Sequence, residues 1–179
     1  MTSDTTATAQ AAASGDAEHP AYRTNMELVG DTTLVLTREL HAPRELVWTA
    51  LTTPEHVRQW YGCGMGEMTT CDIDLRVGGR WHYVLTSPDG HEDSFSGEYR
   101  EIDPPGRLVT TEGYDNIPGA EYLSTVTLEE SSGVTTFRNV LTYAAKEIRD
   151  GHIGAGMEHG MNASMDALER LVVSLAEAR

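Results

Sequence analysis

The sequence predicts an α+β domain in which an antiparallel sheet closes over one long C-terminal helix. Three observations lead there. From Ile153 onward, Met157, Met161, Met165, Leu168, Val172 and Leu175 recur every three or four residues, which places them on one helical face. Between Thr70 and Tyr143 the chain reads as short alternating segments separated by turn residues. No strand–helix–strand alternation interrupts those segments, so consecutive strands pair antiparallel. The helical seam is soft. Its three methionines, with Gly154, Gly160 and Ser164, suit adaptable contacts, and a sheet closed over such a helix leaves room for a cavity.

The elements follow in order. Residues 1–25 are rich in Ala, Thr and Ser, bury too little to offset ordering entropy, and read as a disordered tail, with a weak Ala-rich helix as the alternative. One domain spans 26–179, beginning near Met26. Thr33 to Leu40 puts Leu34, Leu36 and Leu40 on one face of a strand. Ala42 to Leu51 turns helical, with Pro43 suited to a first turn. Thr53 caps a second short helix with Pro54 just inside it, and Gly62, Gly64 and Gly66 end it. Strands are then expected over Thr70–Leu75, Arg80–Thr86, Ser94–Ile102, Arg107–Gly113, Tyr122–Glu129 and Val134–Tyr143. Ser87-Pro88-Asp89-Gly90 and Asp103-Pro104-Pro105-Gly106 supply turns between them.

Composition narrows the partners. A net charge of −15 argues against nucleic acid and against an anionic membrane surface. No apolar run approaches the roughly 20 residues of a membrane span, and Met1-Thr2-Ser3-Asp4 does not open a secretory signal. Two cysteines, Cys63 and Cys71, form no disulfide framework, so a reduced, cytoplasmic setting is expected.

Several stretches, in this order, carry a resemblance. They are Ala42-Pro43-Arg44-Glu45-Leu46-Val47-Trp48, Pro54-Glu55-His56 leading to Trp60-Tyr61-Gly62, and Asp74-Leu75-Arg76-Val77-Gly78-Gly79-Arg80-Trp81. Phe95-Ser96-Gly97-Glu98-Tyr99, Glu101-Ile102-Asp103-Pro104-Pro105 with Arg107-Leu108, and Gly156-Met157-Glu158 follow. From about residue 32 to the C-terminus the chain resembles the Hsp90-ATPase-activator-homologue-like branch of the START/Bet v 1-like superfamily. The resemblance implies a helix-grip fold: a curved antiparallel sheet wrapped around the C-terminal helix, two short helices after the first strand, and a hydrophobic cavity between sheet and helix. That superfamily includes lipid carriers, polyketide cyclases and self-resistance proteins. The family name comes from a co-chaperone domain and is not itself evidence of chaperone activity. Tyr61 stands where a second Trp is common, and Cys63 where Pro is common, which bears on the cavity mouth.

The expected cavity lining is Trp60, Trp81, Tyr83, Phe95, Tyr99, Tyr122 and Phe137, with Met157, Met161 and Met165 across from them. Trp81, Tyr83, Phe95, Tyr99 and Phe137 share the inward strand parity, though plain core filling accounts for any one of them. Ser124 and Asn139 are the candidate polar anchors, and Asn139 needs a partner in ligand, water, Tyr99 or backbone. His152 and His159 lie seven apart on a helical face expected to be exposed, and no metal site is expected. His82, His41 and His56 read as surface residues. Neither cysteine has a base or electropositive neighbour that would make it a nucleophile. Gly62-Cys63-Gly64-Met65-Gly66 lacks the ending of a phosphate cradle and reads as a surface turn or a lid. Glu101 falls on the inward parity unless a bulge flips it; buried among aromatics it would serve acid–base work, and otherwise it is a solvated strand end near Arg107.

The expected function is binding of a small hydrophobic or aromatic molecule, with no cofactor, no catalytic residues, no nucleic acid and no membrane insertion. A polyketide cyclase/dehydratase-like enzyme and an Hsp90-type chaperone-interaction module are the alternatives. A homodimer is compatible with the sequence.

Overall fold

The computed structural model describes residues 24–179; the predicted tail therefore lies outside the described residues, apart from Thr24 and Asn25. Strands β1 (Asn25–Val29) and β2 (Thr33–Leu40) open the domain, followed by helices α1 (Arg44–Thr52) and α2 (Pro54–Trp60). Strands β3 (Glu67–Ile73), β4 (Arg80–Thr86), β5 (Glu92–Asp103), β6 (Arg107–Tyr114), β7 (Tyr122–Ser131) and β8 (Val134–Tyr143) follow. Helices α3 (Lys146–Gly154) and α4 (Met157–Glu177) end it. The eight strands form one sheet in the order β1-β2-β8-β7-β6-β5-β4-β3, every pair antiparallel. The sheet wraps around α4 in a helix-grip fold, with α1 and α2 packed against that helix at one end.

The elements differ from expectation at informative places. The seam from Met157 to Leu175 is carried on α4 as expected, but Ile153 belongs to the separate helix α3. Gly156 sits in the left-handed region (φ 86°) immediately before α4, a conformation open to glycine at little cost, and Gly151, Gly154 and Gly160 weaken helix on either side. Thr53 does occupy the cap position of α2 with Pro54 inside, but its hydroxyl makes no capping bond. Strand β3 ends at Ile73, leaving Leu75 exposed. Gly97 is required in β5, where a Cβ would collide with the Thr111 carbonyl and the Trp81 indole nitrogen.

Three apolar clusters make the core. One joins α1 and the C-terminal half of α4 to β2, β7 and β8, through Leu40, Val47, Leu128, Phe137, Met165, Leu168 and Val172. A second lies under α2 and the β3–β6 strands, through Val57, Trp81, Tyr83, Leu85 and Tyr99. The third joins Leu34, Leu36, Leu141 and Tyr143 to Ile148, Ile153, Met157 and Met161. Complete burial of a Leu or Val side chain contributes about 1.5–3 kcal/mol, and Leu168 and Val172 are at 0% exposure. Arg38 on the inner face of β2 reaches Asp166 of α4 at 2.7 Å, an ion-pair distance without an aligned hydrogen bond, from a side chain only 3% exposed.

Candidate functional site

Register assigns the inner face without ambiguity. Trp81 pairs with Gly97, Tyr83 with Phe95, Phe95 with Tyr114, Glu112 with Tyr122, and Tyr122 with Tyr143. Directly paired residues project to the same side of a sheet, so all of these face the helix. Along β6 the inward positions are Leu108, Thr110, Glu112 and Tyr114. A carboxylate therefore stands in the middle of an aromatic wall.

Glu112 joins two aromatic groups. Its carboxylate accepts a hydrogen bond from the Tyr61 hydroxyl at 3.1 Å, and Tyr122 is its direct cross-strand neighbour. Tyr61, on the segment leaving α2, stands edge-on to Tyr83 (4.9 Å between ring centroids) and to Phe95 (5.8 Å). On the other side Tyr122 packs against Tyr143 at 5.1 Å and stacks on His152 of α3 at 5.2 Å. The Tyr143 hydroxyl and His152 Nδ1 are hydrogen-bonded at 2.8 Å. Enclosure sets the protonation behaviour of the whole group. Burial raises the Glu112 carboxyl above its ordinary value, outweighing the two phenols that favour the anion. Burial, then the neighbouring Glu112, pushes Tyr61 and Tyr122 well up. Burial alone holds His152 below its usual range, favouring the neutral ring.

The inner face is sealed at one end of α4 and unsealed at the other. Met165, Leu168 and Val172 are buried, whereas Met157, Met161, Asn162 and Ser164 keep accessible surface. So do Tyr61, Phe95, Glu112, Tyr122, Asn139 and His152. These residues lie on the inner face and are only partly buried.

A sequence model of the family described as Activator of Hsp90 ATPase homolog 1-like protein matches residues 41–173. The chain belongs to that family. Solved structures from bacteria superpose on this member closely. A protein from Rhodobacter sphaeroides is 28% identical, covers 86% of this chain and 99% of its own, and superposes with a TM-score of 0.78. A Nitrosomonas europaea protein is 27% identical over 83% of this chain and 98% of its own, with a TM-score of 0.73. A Mycobacterium smegmatis protein is 25% identical over 83% and 96%, with a TM-score of 0.75. A search of curated proteins found no match.

Within this Hsp90-activator-like domain the residues expected to line a cavity divide in two. Trp81, Tyr83, Tyr99, Phe137 and Met165 are buried and pack the core clusters. Burial raises the Tyr99 hydroxyl to about 12. Trp60 donates its indole N–H to the Ala50 carbonyl at 2.9 Å, which fixes α2 to α1. Phe95, Tyr122, Asn139, Met157 and Met161 are only partly buried. Ser124 is buried and donates to Asn139 Oδ1 at 2.9 Å, so the two polar anchors satisfy each other.

Other expectations need correction. His152 is not on an exposed face; the separate helix α3 turns it onto Tyr122 and Tyr143, away from the exposed His159. His56 is only partly exposed, with a buried Nδ1. Glu101 follows the solvated reading: a bulge between Tyr99 and Glu101 flips the parity, so it is exposed and binds Arg107 at 2.8 Å. The acidic group among aromatics is Glu112, signalled only by one charge on the Leu108-Thr110-Glu112 parity. Cys71 is buried with its thiol pushed up by burial. In the Gly62–Gly66 turn, Gly62 packs onto Leu85, where a Cβ would collide.

A polar hollow of about 420 Å³ is lined by Asp72, Arg80, Trp81, His82, Ser96 and Asp115 and opens on the outer face. His82 Nε2 meets Ser94 Oγ at 3.0 Å there, but Ser94 gives its proton to Asp115 at 2.6 Å. With its proton donated to Asp115, Ser94 can only accept from His82, so the imidazole is not positioned as its base. Among the described residues no three His, Cys, Asp or Glu side chains gather as a metal site would need, and no helix is long and apolar enough to cross a membrane.

Proposed function

We propose that the protein binds a small hydrophobic, aromatic-bearing molecule in the recess between the sheet and the N-terminal half of α4. The observation that carries this reading is the unsealed inner wall, where Phe95, Tyr122, Met157 and Met161 keep accessible surface although they face the interior. Family membership supports it, since this fold commonly serves hydrophobic ligands. Aromatic rings and thioethers provide apolar, adaptable walls, and a few polar groups orient what enters. The acidic chain with two unpaired cysteines suits an aqueous, reducing cytoplasm.

Met161→Trp tests it, because the residue touches two core clusters at the boundary of the recess. The variant keeps its far-UV circular dichroism and loses binding of a neutral fluorescent naphthalene probe. Undiminished probe binding by the folded variant overturns the reading.

A cyclase/dehydratase-like activity is the second reading, favoured by one observation. Glu112 is a carboxyl held above its ordinary value and hydrogen-bonded to the Tyr61 phenol on the partly buried inner face, which is the state that acid–base chemistry at neutral pH requires.

A further inference from the structure

Resting on the ligand-binding reading above, we infer that the proposed site selects organic cations: a protonated amine on an aromatic body, its ammonium seated against the Glu112 carboxylate and its body among Tyr61, Phe95 and Tyr122. Glu112 is built into the wall as an acceptor. The Tyr61 hydroxyl, just after α2, donates to it at 3.1 Å, and the Tyr122 phenol of β7 stands beside it across the strands. A carboxylate offers about four lone-pair directions, so acceptor capacity remains after the Tyr61 phenol is served. No basic side chain among the described residues approaches it: its surroundings are apolar burial and the two phenols, and the domain's ion pairs lie elsewhere. The nearby imidazole, His152, is engaged with Tyr143 and held neutral by burial. An enclosed carboxylate with no cation lacks charge compensation. A ligand ammonium supplies it.

The rings supply a second attraction of the same sign. Tyr61 and Tyr83, Tyr61 and Phe95, and Tyr122 and Tyr143 form contiguous pairs with centroids 4.9, 5.8 and 5.1 Å apart. The negative faces of such rings attract a desolvated cation. The long-range field agrees, since a chain of net charge −15 draws cations and repels anions. A carboxylate ligand would meet Glu112 as a like charge, and a neutral alcohol would gain a hydrogen bond without compensating the charge.

The test uses three naphthalene probes of one shape on the full chain: 1-naphthylmethylammonium, 1-naphthalenemethanol and 1-naphthoate, titrated by calorimetry at pH 7.5. The ammonium binds at least about tenfold more tightly than the alcohol, and the naphthoate binds weakest. In Glu112→Gln the ammonium's advantage falls to within about twofold while alcohol affinity is kept. Should that variant not fold, the order of the three probes on the unaltered protein decides alone, with Tyr61→Phe as a milder variant that reduces the advantage. Alcohol bound as tightly as ammonium, or naphthoate bound tightest, overturns the cation inference and leaves the ligand-binding reading standing. Absence of binding by all three overturns both.

Discussion

The two halves of α4 share one helical spacing and face one sheet, yet they do opposite things. Toward the C-terminus, Leu168 and Val172 are fully buried against Leu40, Val47 and Phe137. Toward the N-terminus, Met157 and Met161 stand at the same kind of position but are only partly buried, in the cluster that holds Tyr122 and Tyr143. Branched side chains locked in a dense core give stability; unbranched thioethers beside incompletely packed polar aromatics give room. Stability and the proposed binding thus divide along one helix, and the residue type at each seam position marks which half it serves.

The largest expected effect breaks the sealed half. Leu168→Ala costs about 2–5 kcal/mol by creating a cavity the surroundings cannot fill, read as a lower urea midpoint with an unchanged slope. Met161→Ala, at a site already part-open, costs only about 1 kcal/mol and leaves naphthalene-probe binding intact or stronger. Equal destabilisation by the two would erase the distinction between the halves.

A smaller effect sharpens the account of the unsealed half through pH. Burial raises the Glu112 carboxyl above its ordinary 4.5, so the folded chain holds that proton to higher pH than the unfolded chain does. The stability this adds is complete below about pH 4.5 and is lost as pH rises through the folded value. Melting temperature measured across pH 4–8 therefore falls for the unaltered protein relative to Glu112→Gln as pH increases. A constant difference between the two would contradict the burial of this carboxyl.

Much of the sheet was legible because alternation is a strong local signal. Trp81, Tyr83, Phe95 and Tyr99 fall on the inner face as their spacing requires. The family was legible as well, from turn and helix marks spread along the chain. What escaped was set by single residues acting on backbone geometry. A left-handed Gly156 divided the last helix, and His152 on the separate α3 turned inward. Glu112 escaped for another reason. A lone acid in a strand is ordinarily a solvated side chain, and only cross-strand pairing with Tyr122 shows which face it occupies. Fine separation of wall from core was beyond the pattern too, since Phe137 and Phe95 share a parity while only Phe95 keeps accessible surface.

Because the methionines sample every part of the interior, methyl NMR of methionine-¹³C-labelled protein tests the central claim most directly. Titration with the neutral naphthalene probe shifts the Met157 and Met161 methyl signals, while Met68 beneath α2 and the exposed Met65 stay in place. Shifts confined to Met65 or Met68, or no shift at saturating probe, would contradict the placement of the binding site along the N-terminal half of α4.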